Sequence, residues 1–411
     1  MSLLTRRRLF SLFGLGGLSL VGARYGLPRL WRVGEAREVP EHARGFVDDA
    51  LAGLDPTRLI DGHVHLLGLG SGGRLWSNPA WADPWKPWQR FQYELYLGAA
   101  GIEEGPTADE DYFARLLELQ RLGLPQGARL MLLAFDWRHR EDGSVDRERS
   151  AFYAPDELVL EIAEQRPEAM IACASVHPYR VDALERLDAA AARGARAVKW
   201  LPSAMGIDPA HELCVPYYER MAELGLALLV HCGEEQSMEV HGDQDLGNPL
   251  RMRTALDLGV RVVMAHCASL GDAPDTDTGA ADPPRVPCHE LFLRLMDEER
   301  YDGLLFGDTS ALNFANRSGE PLRAMLRRPD LHHRLCFASD YPLPALEPLH
   351  STFLLQRKGY LTGEQRALCN DVIDANPLLG DLVVKRSLRL REDGAEHRFQ
   401  DAVFQDDGLY G

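Results

Sequence analysis

Two histidines one residue apart, His63 and His65, close a short apolar run that begins Leu59-Ile60 and contains Asp61. Further along the chain, other apolar runs end in Lys199, His231, His266 and Asp340. Imidazoles and a carboxylate are the donors that Zn²⁺ and similar divalent ions take. A lone His-x-His is often a surface or packed pair. Four strand-tip histidines with an aspartate turn the balance towards metal binding. Side chains alternate along a strand, so Asp61, His63 and His65 are expected on one face.

The elements that must position these residues follow a rhythm. Apolar runs at 59–65, 129–135, 170–176, 195–200, 226–230, 260–265, 303–306 and 334–338 read as strands. Helical patterns at 111–122, 155–165, 181–193, 216–224, 249–258, 288–298 and 321–328 separate them, and more helix follows from 348. Glycines at 194, 225 and 259 stop three of the helices. Continuous apolar strands alternating with helices imply the α/β class and a parallel sheet. Eight such units imply a closed (β/α)8 TIM barrel with its active site at the C-terminal strand ends. Strands one and eight are then neighbours, so Asp340 can reach the His63–His65 pair.

The first connection, 66–107, is long and holds Trp76, Trp81, Trp85 and Trp88. It reads as a lid or binding loop, or equally as a hydrophobic plug or subunit contact. Prolines 79, 84 and 87 argue against a regular helix in it. The barrel is expected over 57–382, after a lead-in at 24–56 and before a charged tail at 383–411 that wraps on the surface.

At 411 residues, 45% of them hydrophobic, the chain suits an α/β barrel with insertions. A formal charge of −17 excludes a protein that binds nucleic acid through a basic surface. Seven cysteines without a CxxC pair or regular spacing are buried thiols rather than a disulfide framework.

Residues 1–23 read as targeting. Arg7-Arg8-Leu9-Phe10 resembles a twin-arginine export signal, and the apolar run after it is broken by Gly14, Gly16 and Gly17. Val21-Gly22-Ala23 fits a cleavage site. The expected partner is the twin-arginine export machinery and the expected destination the periplasm or another extracytoplasmic space. An uncleaved segment would anchor the chain to the membrane.

Five motifs together resemble the amidohydrolase superfamily, most closely the branch called amidohydrolase family 2. They are Asp61-Gly62-His63-Val64-His65, Val198-Lys199-Trp200-Leu201-Pro202, Leu229-Val230-His231-Cys232-Gly233, Met264-Ala265-His266-Cys267 and Ala338-Ser339-Asp340-Tyr341-Pro342. The resemblance runs from about 59 to 377. It implies that His63, His65, His231 and Asp340 bind a divalent ion, zinc by preference and one per chain. It makes His266 the catalytic histidine that polarises the substrate, and Asp340 both ligand and proton shuttle. In many relatives strand four carries Lys-Leu-His-Pro; here Leu201 replaces that histidine.

The implied function is metal-dependent hydrolysis, with activated water attacking an amide, ester or lactone carbonyl of a small molecule. A non-oxidative decarboxylase on the same scaffold is the first alternative, a non-catalytic metal-binding barrel the second. Lys199 shares parity with Ala195 and Ala197 and is expected inside the barrel. It is either a carbamate bridging two ions or an ammonium paired with an acid or a substrate carboxylate, the second being preferred. Arg180 is a candidate for a substrate carboxylate, with a structural ion pair as the alternative. Asp308 either lines the site or caps the next segment. Glu234, Glu235, His241 and Asp243, after His231, read as a solvated loop, with the binding of an amine as the alternative.

Overall fold

The computed structural model describes residues 33–347 and 349–410. The export signal read at 1–23 lies outside them. Among the described residues, no helix is long and apolar enough to cross a membrane.

Eight strands form one sheet: β1 (Ile60–His65), β2 (Arg129–Leu133), β3 (Met170–Ala174), β4 (Ala197–Trp200), β5 (Ala227–His231), β6 (Val262–Ala265), β7 (Leu305–Asp308) and β8 (Leu335–Cys336). They pair in chain order and every pairing is parallel. Closure from β8 back to β1 runs through the backbone just past β8. Gly62 N–H donates to Phe337 O, Asp340 N–H to His63 O and His65 N–H to Tyr341 O, each at 3.0 Å. The molecule is thus the expected (β/α)8 barrel. The strand runs read from the sequence are confirmed in place, with ends moved by at most two residues.

Alternation along the strands divides the apolar residues into two layers. Met131, Ile171, Ala197, Leu229 and Val263 fill the barrel interior. Leu130, Leu132, Val198, Leu228, Val230 and Val262 face outward against the helices. On β4 and β5 the same parity brings Lys199 and His231 inward.

The sequence reading fails in three places. Asp61 does not share the face of His63 and His65. Ile60 packs in the interior whereas Val64 packs outside, although both are even-numbered. The β1–β2 register shifts between Asp61 and Val64, and such an irregularity reverses the parity beyond it. Next, the first connection contains a 14-residue helix, Pro87–Ala100. Pro87 sits in its first turn, where a missing N–H costs nothing, and Gly101 ends it at φ 70°. Prolines 79 and 84 lie before it, in the segment it follows.

The third correction concerns the 383–411 tail. A helix, Pro377–Ser387, crosses its proposed start. Its end is no surface wrap: Leu409 and Tyr410 join the interior layer and plug the barrel. Tyr410 rests on β1 so closely that a Cβ at Gly62 would lie 3.2 Å from its ring. Two apolar residues in a charged stretch give too little pattern to announce this.

Candidate metal centre and its cavity

The expected residues meet at the C-terminal strand ends. His65 Nε2 lies 3.2 Å from Asp340 Oδ1, and His63 Nε2 lies 3.5 Å from the same oxygen. One donor atom from each of His63, His65 and Asp340 falls within 4.8 Å of the other two. The backbone at two of the strand ends is held in the left-handed region, at His266 (φ 56°), Cys267 (49°), Ala268 (48°) and Asp340 (68°). Such conformations cost free energy for residues with a Cβ and persist where the surroundings impose them. The two cysteines that follow site histidines, Cys232 and Cys267, are buried in the outer layer, as expected.

Asp308, on β7, sets the chemistry of His63. Its Oδ2 accepts from His63 Nδ1 at 2.9 Å. A proton on Nδ1 leaves a lone pair on Nε2, the atom facing Asp340, which is the orientation a metal ligand needs. Asp308 Oδ1 also takes the His266 N–H at 2.7 Å and the Ser310 N–H at 3.1 Å. Burial pushes the Asp308 carboxyl up. The charge and hydrogen bond of His63, with His266 and Ser310, outweigh it and hold the group below the ordinary carboxylate range. Asp340 behaves alike: against burial, His63, His65 and Lys199 keep it ionised.

The same network decides the tautomer of His266. The Ser310 hydroxyl donates to Asp308 Oδ1. Its oxygen, 2.7 Å from His266 Nδ1, can then only accept there. His266 therefore carries its proton on Nδ1, and its Nε2, 4.0 Å from Asp340 Oδ2, is an acceptor. Burial, reinforced by Arg317, keeps this imidazole neutral. In that arrangement the Nε2 of His266 faces Asp340 as an acceptor.

His231 lies beside the cluster rather than in it. Its ring is edge-on to His266 at 5.0 Å. Its Nε2 is buried without a hydrogen-bond partner, 3.5 Å from Glu235 Oε2. Burial, then Arg317 and Lys199, hold it neutral. An orphaned buried nitrogen is costly unless something ligates it. The donor chemistry therefore fits a divalent ion: imidazoles, a carboxylate and an unsatisfied nitrogen. A second triad, His63, His266 and Asp308, is also close enough. His63, His65 and Asp340 all line the cavity above, whereas Asp308 does not, which favours the first.

Lys199 is inside the barrel and fully buried, as parity requires. Its Nζ donates to His63 Nε2 at 3.2 Å. Burial pulls its pKa down, opposed by Asp308 and Asp340. Arg180 is not brought to the site. Its guanidinium pairs with Asp182 at 2.8 Å and Asp136 at 3.3 Å, and it does not line the cavity. The ion-pair alternative is correct for it. Glu235 corrects the solvated-loop reading, for it is 5% exposed and takes the Ser237 and Met238 N–H groups on Oε1.

Above the cluster opens a cavity of about 1060 Å³. Trp81 and the helix Pro87–Ala100 supply part of its wall, so the first connection borders the cavity. Tyr96 fastens that helix by donating to Ser237 O at 3.2 Å. Arg317, also on the cavity, was not visible in the sequence, since its loop after β7 has no period to mark a direction.

With five strand ends converging on one point, the sequence model of the amidohydrolase family decides the ancestry: it matches residues 60–371. The chain belongs to the amidohydrolase family. No curated protein matches it. An uncharacterised TIM-barrel protein of Bordetella bronchiseptica is 15% identical, with a TM-score of 0.48 over 76% of this chain and 99% of that one. The 5-carboxyvanillate decarboxylase of Sphingomonas paucimobilis is 11% identical, with a TM-score of 0.47 over 86% and 97%. The 4-oxalomesaconate hydratase of Rhodopseudomonas palustris is 13% identical, with a TM-score of 0.41 over 79% and 97%. Amidohydrolases depend on metal, and the His63–His65–Asp340 group is where this barrel can hold one.

Proposed function

We propose that this amidohydrolase hydrolyses an amide, ester or lactone bond of a small molecule, with a divalent ion, zinc by preference, on His63, His65 and Asp340 and with His231 closing the set. The observation that carries the reading is the convergence of His63, His65 and Asp340, with Asp308 fixing the lone pair of His63 towards Asp340. A bound ion supplies Lewis-acid chemistry, polarising a carbonyl and acidifying water.

The residues do the rest. Asp340, held ionised, takes a proton from water as its oxygen adds to the carbonyl carbon. The same carboxyl then gives that proton to the leaving nitrogen or oxygen as the bond breaks. His266 Nε2, 4.0 Å from Asp340 Oδ2, faces the same space as a second acceptor. Lys199 is the buried donor for the carbonyl oxygen, in the place where charge develops. Non-oxidative decarboxylation is a second reading, favoured by the same Lys199, whose buried ammonium can hold a carboxylate beside the cluster.

A panel of amides, esters, lactones and aromatic carboxylic acids, offered to the metal-loaded protein, separates the two. Hydrolysis gives a new carboxyl group and no gas. Carbon dioxide release without a new carboxyl group would replace the first reading with the second.

A further inference from the structure

The cavity walls are mostly apolar, built from side chains such as Leu69, Phe91, Tyr96, Phe152, Met238 and Phe314, with Glu234, Glu235 and a few amides among them. At about 1060 Å³ the space reaches the upper end of small-molecule pockets. Arg317 stands out against these walls. It lines the cavity and is 7% exposed. Its Nη1 donates to Ser269 Oγ at 2.9 Å. Ser269 is itself fixed, its N–H donating to His266 O at 3.0 Å.

Among the described residues, no carboxylate oxygen lies within 4.0 Å of the guanidinium. Other arginines at this end of the barrel are paired: Arg138 with Asp243 at 2.7 Å, Arg180 with Asp182 and Asp136. The acids near Arg317 are committed elsewhere. Asp340 serves His63 and His65, Asp308 serves His63 and His266, Glu235 Oε1 takes two backbone N–H groups, and Glu234 Oε1 accepts from the Gln236 side-chain amide at 3.2 Å. A buried charge without a partner is expensive, so a site that keeps one has a use for it. The guanidinium fork matches a carboxylate with two parallel N–H···O bonds. With Nη1 anchored to Ser269, its remaining donors are left for a ligand.

We propose that Arg317, anchored by Ser269, is an anion subsite, and that the ligand of this cavity is a bulky, mostly apolar molecule bearing one carboxylate away from the bond that reacts. That this ligand is the substrate rests on the hydrolase reading; the subsite does not. The apolar walls bind the body, Arg317 binds the carboxylate, and the two together present the reacting group to the His–Asp cluster.

The test is binding, not turnover. The probes are 4-phenylbutanoate and 4-phenylbutan-1-ol, one skeleton with and without the charge, titrated calorimetrically into the metal-loaded full chain. The carboxylate is expected to bind about tenfold tighter or more than the alcohol, as one charge-assisted bidentate pair provides. Arg317→Gln, checked for an unchanged metal content, should abolish that preference and leave alcohol binding as it was. Equal binding of the two probes to the wild type overturns the proposal. So does a preference that survives in Arg317→Gln, for then the ion or Lys199 holds the carboxylate. Should Arg317→Gln not fold, Ser269→Ala replaces it and must weaken the carboxylate alone. If the probes behave as stated while no amide, ester or lactone is turned over, the hydrolase reading fails and the subsite stands.

Discussion

At the scale of single residues, the site depends on where a few protons sit. Asp308 touches no ligand position of the favoured triad, yet its two oxygens settle the tautomer of His63 and the turn at His266. Asp308→Asn keeps the size and removes the charge. Its amide can turn an N–H towards His63 Nδ1 and thereby move the lone pair off the metal side. Metal affinity should fall about 10–100-fold, the usual effect of losing a partner behind a ligating histidine. Competition with a chromophoric chelator measures this, and unchanged affinity would remove Asp308 from the account. The His–Asp donors were legible in the sequence because each ends an apolar run. Arg317 was not, because nothing in an aperiodic loop tells a side chain where to point. Asp61 was misplaced because a register shift inside a strand leaves no mark on the sequence.

At the scale of elements, the junctions between strands and helices carry both strain and buried charge. Asp156 opens the helix Asp156–Gln165 and accepts the Ser175 N–H at 2.6 Å, just past β3. Burial pushes its carboxyl up to about 7, although the Ser175 bond and Arg186 pull the other way. The folded protein therefore keeps this proton at pH values where the unfolded chain has released it. The stability linked to this proton is fully present below the ordinary carboxylate pKa and is lost as pH rises through about 7. Asp156→Asn should flatten the decline of Tm between about pH 4 and 7. Parallel curves for the two proteins would contradict it. Helix Pro87–Ala100 shows why a sequence rule can fail at this scale. Proline forbids a helix interior but suits a helix start, and only the structure says which position Pro87 holds.

For the whole molecule, the strand–helix rhythm, the barrel and its polar rim were legible, since both faces of each strand are buried and glycines end the helices. Two features that complete the barrel were not. The first is closure between β8 and β1 by backbone groups beyond a two-residue strand. The second is the plug made by Leu409 and Tyr410. The twin-arginine export signal proposed at residues 1–23 lies outside the described residues and is tested separately. Changing Arg7 and Arg8 to Lys together should leave the protein in the cytoplasm, folded and able to bind metal. Fractionation of expressing cells measures this, and export that persists after the double change would refute the twin-arginine proposal.

The central claim is that His63, His65 and Asp340 hold one divalent ion beside a Lys199 that remains an ammonium. Metal content per chain, measured by elemental analysis on the purified protein and two variants, tests it most directly. About one ion is expected in the wild type, about one in Lys199→Ala and none in Asp340→Ala. A wild type without metal, or one with two ions that loses one in Lys199→Ala, would contradict the account.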